Sequence, residues 1–156
     1  MTVTSARVSE ISPSQAWELL VSTPNARMVD VRTKAEWSFV GLPDLAEARK
    51  RLWTIEWVSF PSMTPNPRFL PELVEHASAD PELGGAMPET LLFICRSGAR
   101  SMMAARTVAA EGEATGIGAP ARCINVAEGF EGDLDADGHR GNENGWKVAG
   151  LPWRQG

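Results

Sequence analysis

Residues 91–101, Leu91-Leu92-Phe93-Ile94-Cys95-Arg96-Ser97-Gly98-Ala99-Arg100-Ser101, decide how this chain is read. An uninterrupted apolar run of strand length stops at a cysteine, and small and cationic residues follow. Beyond it Met102, Ala105, Val108 and Ala109 share a helical face until Gly112, which predicts strand, tight loop and helix in succession. Working outward, Ser12-Pro13-Ser14-Gln15 has the form of a capping box ahead of a helix with Ala16, Trp17, Leu20 and Val21 on one face. Arg27 to Arg32 reads as a short strand carrying Asp30 and Arg32 at its carboxyl end, and Lys34 to Val40 as a short helix stopped by Gly41 and Pro43. Ile55 to Phe60 predicts a further strand, and Pro61 to Pro67 a loop, with helical patterning resuming at Phe69, Leu70, Leu73 and Val74. Segment Leu45 to Trp53 fits no single pattern, and Leu83 to Pro88 reads as a second loop. Arg122 to Val126 reads as a buried strand, and a short helix or turn is predicted over Gly145 to Ala149. Short strands alternating with helices predict an α/β protein built on a parallel sheet.

The chain has 156 residues, 43% hydrophobic and 22% charged, which suits one domain, 1–156, with a real core over about 9–154. A formal charge of −5 argues against a broad basic surface for nucleic acid or anionic membrane, while leaving room for a small cationic pocket. Met1 to Glu10 lacks the apolar core of a signal peptide and no apolar run reaches membrane-spanning length, so a cytoplasmic protein is expected. Cys95 and Cys123 make neither a disulfide framework nor a zinc set, and free thiols are expected. The six tryptophans show no repeat spacing and read as packing residues.

A cysteine at the carboxyl end of a parallel strand lies where open α/β sheets place their ligands. Ser97, Gly98 and Ala99 are small enough for the backbone to curl, so that successive N–H groups and the next helix's positive end converge on one anion. A thiol in such a cradle, near Arg96 and Arg100, should have its thiolate favoured. The competing reading is a buried cysteine that packs as a small hydrophobe.

The string Cys95-Arg96-Ser97-Gly98-Ala99-Arg100 resembles the CxxGxR active-site loop of single-domain rhodaneses, the thiosulfate sulfurtransferase family. Val29-Asp30-Val31-Arg32 with Glu36 is similar to that family's DVR segment and its following acidic residue. Asn144-Gly145-Trp146 through Gly150-Leu151-Pro152-Trp153 resembles its terminal W…GLP signature, and the three segments arrive in the family's order. The resemblance implies a rhodanese-like three-layer fold, a central parallel sheet of about five strands flanked by helices. It implies that Cys95 takes sulfur from a small anionic donor such as thiosulfate, carries it as a persulfide, and passes it to cyanide or a thiol acceptor, small molecule or redox protein. Arg96, Ser97, Gly98, Ala99 and Arg100 would bind the donor, with Arg100 also bracing the loop. Asp30, Arg32, Glu36 and Ser101 would support the cradle, and neither cofactor nor metal is called for. No general-base histidine is required, and His76 and His139 read as surface residues; a Cys/His hydrolase would need one of them beside Cys95.

The chain also departs from the pattern. The family's GHIPGA segment is replaced by Gly41-Leu42-Pro43-Asp44, without the histidine, and Leu45 to Pro88 carries no alignable motif. Residues 128–145 form an acidic Gly/Asp-rich run read as a solvated loop at the pocket rim. Asp133, Asp135, Asp137 and Gly138 match half of a calcium loop, but Asn144 stands where the bidentate glutamate belongs. Cys123, within an apolar strand, reads as core rather than as a resolving thiol. Two other functions compete: a cysteine phosphatase or arsenate reductase, and a non-catalytic binding or regulatory module on the same fold. Tyrosine-type phosphatases enclose five residues between cysteine and arginine where Cys95 and Arg100 enclose four, which makes a tighter cradle and ranks sulfur above phosphate.

Overall fold

A computed structural model describes residues 8–155. The order is β1 (Val8–Ile11), α1 (Pro13–Ser22), β2 (Ala26–Asp30), α2 (Lys34–Phe39), β3 (Leu42–Pro43), β4 (Trp53–Thr54), β5 (Val58–Ser59), β6 (Thr64–Pro65), α3 (Phe69–Ala79), β7 (Thr90–Ile94), α4 (Ala99–Glu111), β8 (Arg122–Val126) and β9 (Trp153–Arg154). Single 3-10 turns lie at Ala46–Ala48 and Gly112–Thr115. The reading of Met1 to Glu10 falls mostly outside the described residues, and its last three belong to β1.

Five parallel strands form the central sheet in the order β1-β8-β7-β2-β4. β7 is buried on both faces, so its side chains alternate between two cores. Leu91, Phe93 and Cys95 face Leu73 of α3 and Ala104, Ala105 and Val108 of α4. Leu92 and Ile94 face Ala16 and Leu20 of α1, together with Phe130 and Trp146. The result is the three-layer α/β architecture that the motifs imply. From β2 the chain runs outward to β4 and then returns as β7 on β2's other side, so the order reverses beside Cys95, where open α/β sheets form their crevice.

The capping box at Ser12 forms, its Oγ accepting the Gln15 N–H at 3.2 Å while Gln15 Oε1 accepts the Ser12 N–H at 3.0 Å. Several expectations are corrected. Ile55 to Phe60 is no strand of the central sheet: β4 is Trp53–Thr54, in register with Val29 and Asp30, and Val58–Ser59 pairs instead with Thr64–Pro65, inside the predicted loop, as a separate two-stranded ribbon. Register against β2, rather than the β-favouring composition of 55–60, selects the paired residues. The buried face of α4 is Ser101, Ala104, Ala105 and Val108, rotated from the predicted stripe, with Met103 exposed. Further strands have no counterpart in the sequence reading: β1, which pairs with β8, and the antiparallel pair β3 and β9, which ties the carboxyl end to the Gly41 turn. Gly145 to Ala149 is a turn. His76 is half-buried and stacks on Trp53 at 5.6 Å, and burial lowers its pKa; the tryptophan's large face recruits it from the surface.

Candidate active site

Cys95 follows β7 directly and is 1% exposed. Its Sγ accepts hydrogen bonds from the Gly98 N–H at 3.2 Å, the Ser101 N–H at 3.3 Å and the Ser101 Oγ at 3.2 Å. Gly98, with φ of 110°, is the N-cap of α4, and this left-handed conformation lets the chain curl around the sulfur. The amides of Arg96, Ser97, Ala99 and Arg100 have no acceptor among the described residues. Two of them are the first amides of α4, whose N–H groups point back toward the loop.

The remaining amides owe their direction to a segment read from the sequence only as part of an insertion. The Cys95 carbonyl accepts the Phe130 N–H at 2.8 Å, and the Arg96 carbonyl accepts those of Glu131 and Gly132 at 3.0 and 3.1 Å. In a trans peptide the C=O and the following N–H point opposite ways. Fastening these two carbonyls to residues 130–132 therefore turns the Arg96 and Ser97 N–H groups toward the other side of the loop. The approach is so close that a Cβ on Gly129 would lie 2.5 Å from the Cys95 carbonyl oxygen.

The supporting residues divide unequally. Glu36 caps α2 through its bonds with Thr33 and also receives both guanidinium nitrogens of Arg100 at 2.8 Å. Burial works to raise the Glu36 carboxyl, but Arg100 and the Thr33 N–H outweigh it and hold its pKa down at about 2. Glu36 likewise raises the pKa of Arg100. Arg96 has no carboxylate partner among the described residues. Asp30 and Arg32 are fully buried and pair with each other, at 2.9 Å from Nε to Oδ1 and 2.7 Å from Nη2 to Oδ2. Arg32 also donates to the Gly41 carbonyl and lies 4.4 Å from the centre of the Phe130 ring, so the pair reaches the cradle through Phe130.

Asn125 is a site residue that the sequence reading missed. Fully buried on β8, it donates from Nδ2 to Glu10 Oε2 at 2.7 Å and to the Gly98 carbonyl at 3.2 Å, leaving Oδ1 2.5 Å from Ser101 Oγ. The one hydroxyl hydrogen of Ser101 thus faces Asn125 Oδ1, the Gly98 carbonyl and Cys95 Sγ. A polar residue inside the apolar strand Cys123-Ile124-Asn125-Val126 was the available signal.

Cys123 is packed in the core, where burial pushes its thiol up to about 12. It pairs with Leu91, four residues before Cys95, so the two sulfurs are separated by about 13 Å of strand. In the acidic run, Asp135 accepts the N–H groups of Asp137 and His139 and the Asn142 amide, and Asp133 pairs with Asn144. These side chains hold the loop's own turns. A cavity of about 710 Å³ opens against Arg96 and Arg100, with Leu134, His139 and Arg140 of this loop on one wall. Among the described residues no helix is long and apolar enough to cross a membrane.

No family model matches the chain. The uncharacterized protein RP600 homolog of Rickettsia rickettsii is 33% identical over 147 residues, 94% of this chain and 98% of that protein. Among solved structures, Rv0390 from M. tuberculosis is 44% identical with a TM-score of 0.75, over 96% of this chain and 98% of that one. The polysulfide-sulfur transferase homodimer of Wolinella succinogenes is 22% identical with a TM-score of 0.56, over 97% of this chain and 82% of that one. RPA3614 of Rhodopseudomonas palustris CGA009, described as a possible tyrosine phosphatase, is 18% identical with a TM-score of 0.52, over 99% of each chain. The last two likenesses concern the fold alone. By its identity over nearly its whole length, the chain belongs to the family of the Rickettsia RP600 proteins, and its fold is the rhodanese-like α/β domain.

Proposed function

We propose that this protein is a sulfurtransferase that carries sulfane sulfur on Cys95. The observation that supports this most is the loop itself: a sulfur bonded by Gly98 and Ser101, with the loop amides of Arg96, Ser97, Ala99 and Arg100 left without acceptors among the described residues. Such a ring of donors suits an anion one bond beyond the cysteine sulfur, which is where a persulfide holds its charge. In the first step the Cys95 thiolate attacks the outer sulfur of thiosulfate. A new S–S bond forms, the bond to the sulfite sulfur breaks, and sulfite leaves with the electron pair. In the second step cyanide, or a thiolate acceptor, takes the outer sulfur and returns Cys95 as thiolate. Gly98 and Ser101 stabilise the inner sulfur, and Arg96 offers a charge that no carboxylate among the described residues neutralises. Asp30, Arg32 and Glu36 act through the backbone and Arg100 rather than on sulfur. The reading calls for a reducing compartment, the cytoplasm, where Cys95 remains a thiol between turnovers.

The test is intact mass. Thiosulfate should add one sulfur to the protein, cyanide should remove it as thiocyanate, and Cys95→Ser should abolish both while keeping its melting temperature. Turnover of an aryl phosphate with no sulfur adduct from any donor would assign the site to a phosphatase instead. Failure of both reactions would favour a binding module.

A further inference from the structure

The cavity at the mouth of the cradle is larger than an inorganic sulfur donor needs. Its volume of about 710 Å³ lies in the range of roughly 300–1,000 Å³ typical of sites for organic ligands. Its walls have two characters. Phe60, Met63 and Leu134 are large apolar side chains left 62%, 44% and 55% exposed, and all three line this one space. They come from separate segments, the turn between β5 and β6 and the loop after Phe130, so their meeting is a product of the fold. Isolated exposed hydrophobics are ordinary, but a group of them converging on one concavity marks a site for apolar matter.

The second character is charge. Arg96, Arg100 and Arg140 line the cavity against Glu36 and Glu131, which leaves it net cationic in a chain of formal charge −5. Glu36 is committed to Arg100, whereas Arg96 and Arg140 have no carboxylate partner among the described residues; Arg140 donates to the Gly132 carbonyl. An apolar wall beside unneutralised guanidinium groups fits an organic anion.

We infer that the cavity binds an organic sulfur carrier of small-molecule size, with an apolar body against Phe60, Met63 and Leu134 and an anionic group at Arg96 and Arg140. This rests on the persulfide reading of Cys95 and names its substrate class. In the step, the carrier's thiolate attacks the outer sulfur of the Cys95 persulfide. The carrier thiol's proton passes to the anionic outer sulfur as that thiolate forms and stays on the transferred sulfur; a sulfur–sulfur bond to the carrier forms, the bond to Cys95 breaks, and Cys95 leaves as thiolate. The reverse step loads the enzyme, and neither direction requires an oxidant.

The experiment follows discharge of sulfur-loaded enzyme by three acceptors: 4-(mercaptomethyl)benzoate, which has body and charge; its neutral amide, which has the body alone; and mercaptoacetate, which has charge alone. The first should discharge the enzyme at least about tenfold faster, at low concentration, than either of the others, since apolar pocket contacts discriminate by about that factor or more. Phe60→Ser with Leu134→Ser should raise KM for the benzoate, and Arg140→Gln should bring it to the level of the amide. Arg140→Lys should restore most of the preference, which a purely structural role of Arg140 in the loop would not do. Equal discharge by all three acceptors, or variants that leave the preference intact, would overturn the inference while leaving the persulfide chemistry standing. Binding of 4-methylbenzoate to the Cys95→Ser protein gives a readout independent of sulfur transfer. Absence of binding would overturn the cavity assignment, whereas failure of every donor to load Cys95 would instead overturn the function on which it rests.

Discussion

Glu36 shows how much one side chain can hold in place. It closes the capping box of α2 and fastens Arg100 across 64 residues of sequence. Its folded pKa of about 2 lies below the ordinary 4.5, so the pair adds stability that is fully present above pH 4.5 and is lost as pH falls toward 2. Glu36→Gln should destabilise the protein by about 2 kcal/mol at pH 7, since it leaves Arg100 half-buried without its counter-ion. Urea midpoints measured from pH 7 to pH 2.5 should show that difference shrinking as the wild type is acidified. Ser101 offers a second test. Removing its hydroxyl takes one donor from the Cys95 sulfur and leaves Asn125 Oδ1 without its 2.5 Å partner. Ser101→Ala should slow sulfur loading by about tenfold, measured by quenched intact mass. The motif string had already singled out Cys95, Glu36 and Ser101. It did not single out Asn125, because nothing local to β8 says that its amide will meet a hydroxyl on α4.

Among the elements, the segment 128–132 differs most from its sequence reading. As sequence it reads as the start of a solvated loop, yet the amides of Phe130, Glu131 and Gly132 hold the Cys95 and Arg96 carbonyls and so set the direction of the cradle. Gly129 is the position to test, with φ of 66° and no room for a Cβ against Cys95. Gly129→Ala should cost about 2 kcal/mol or more, a melting temperature lower by about 4–8 °C, and sulfur loading should fall with it. Helix α4 carries a related lesson. Hydrophobicity favoured Met102 for the buried face, but the bonds from Ser101 to the sulfur turn that small residue inward, and alanines at 104 and 105 then lie against the sheet. The edge strand β4 was misplaced for a similar reason, since two residues of register against β2 decide it.

For the whole molecule, both thiols belong to the core covered by α3 and α4, and about 13 Å of strand keeps the proposed nucleophile apart from the packed cysteine. Cys123 lies in the interior with its pKa pushed up to about 12, so it should react with iodoacetamide only through global unfolding, at least about a thousandfold more slowly than in urea. Peptide mapping of the alkylated protein checks this, and oxidation should yield no Cys95–Cys123 bridge. Short-range features are legible along the chain: the apolar run of β7, the capping box at Ser12, the alternation that makes a parallel α/β sheet, and the four residues between Cys95 and Arg100. Those features depend on periodicity, propensity and spacing, which operate within a few residues. Long-range packing settles that Phe130 fastens the cradle, that Arg100 is committed to Glu36 while Arg96 is not, and that Phe60 and Leu134 share one cavity. Each of these joins residues from separate segments, and their meeting is settled by how the layers close around the sheet rather than by any pattern along the chain.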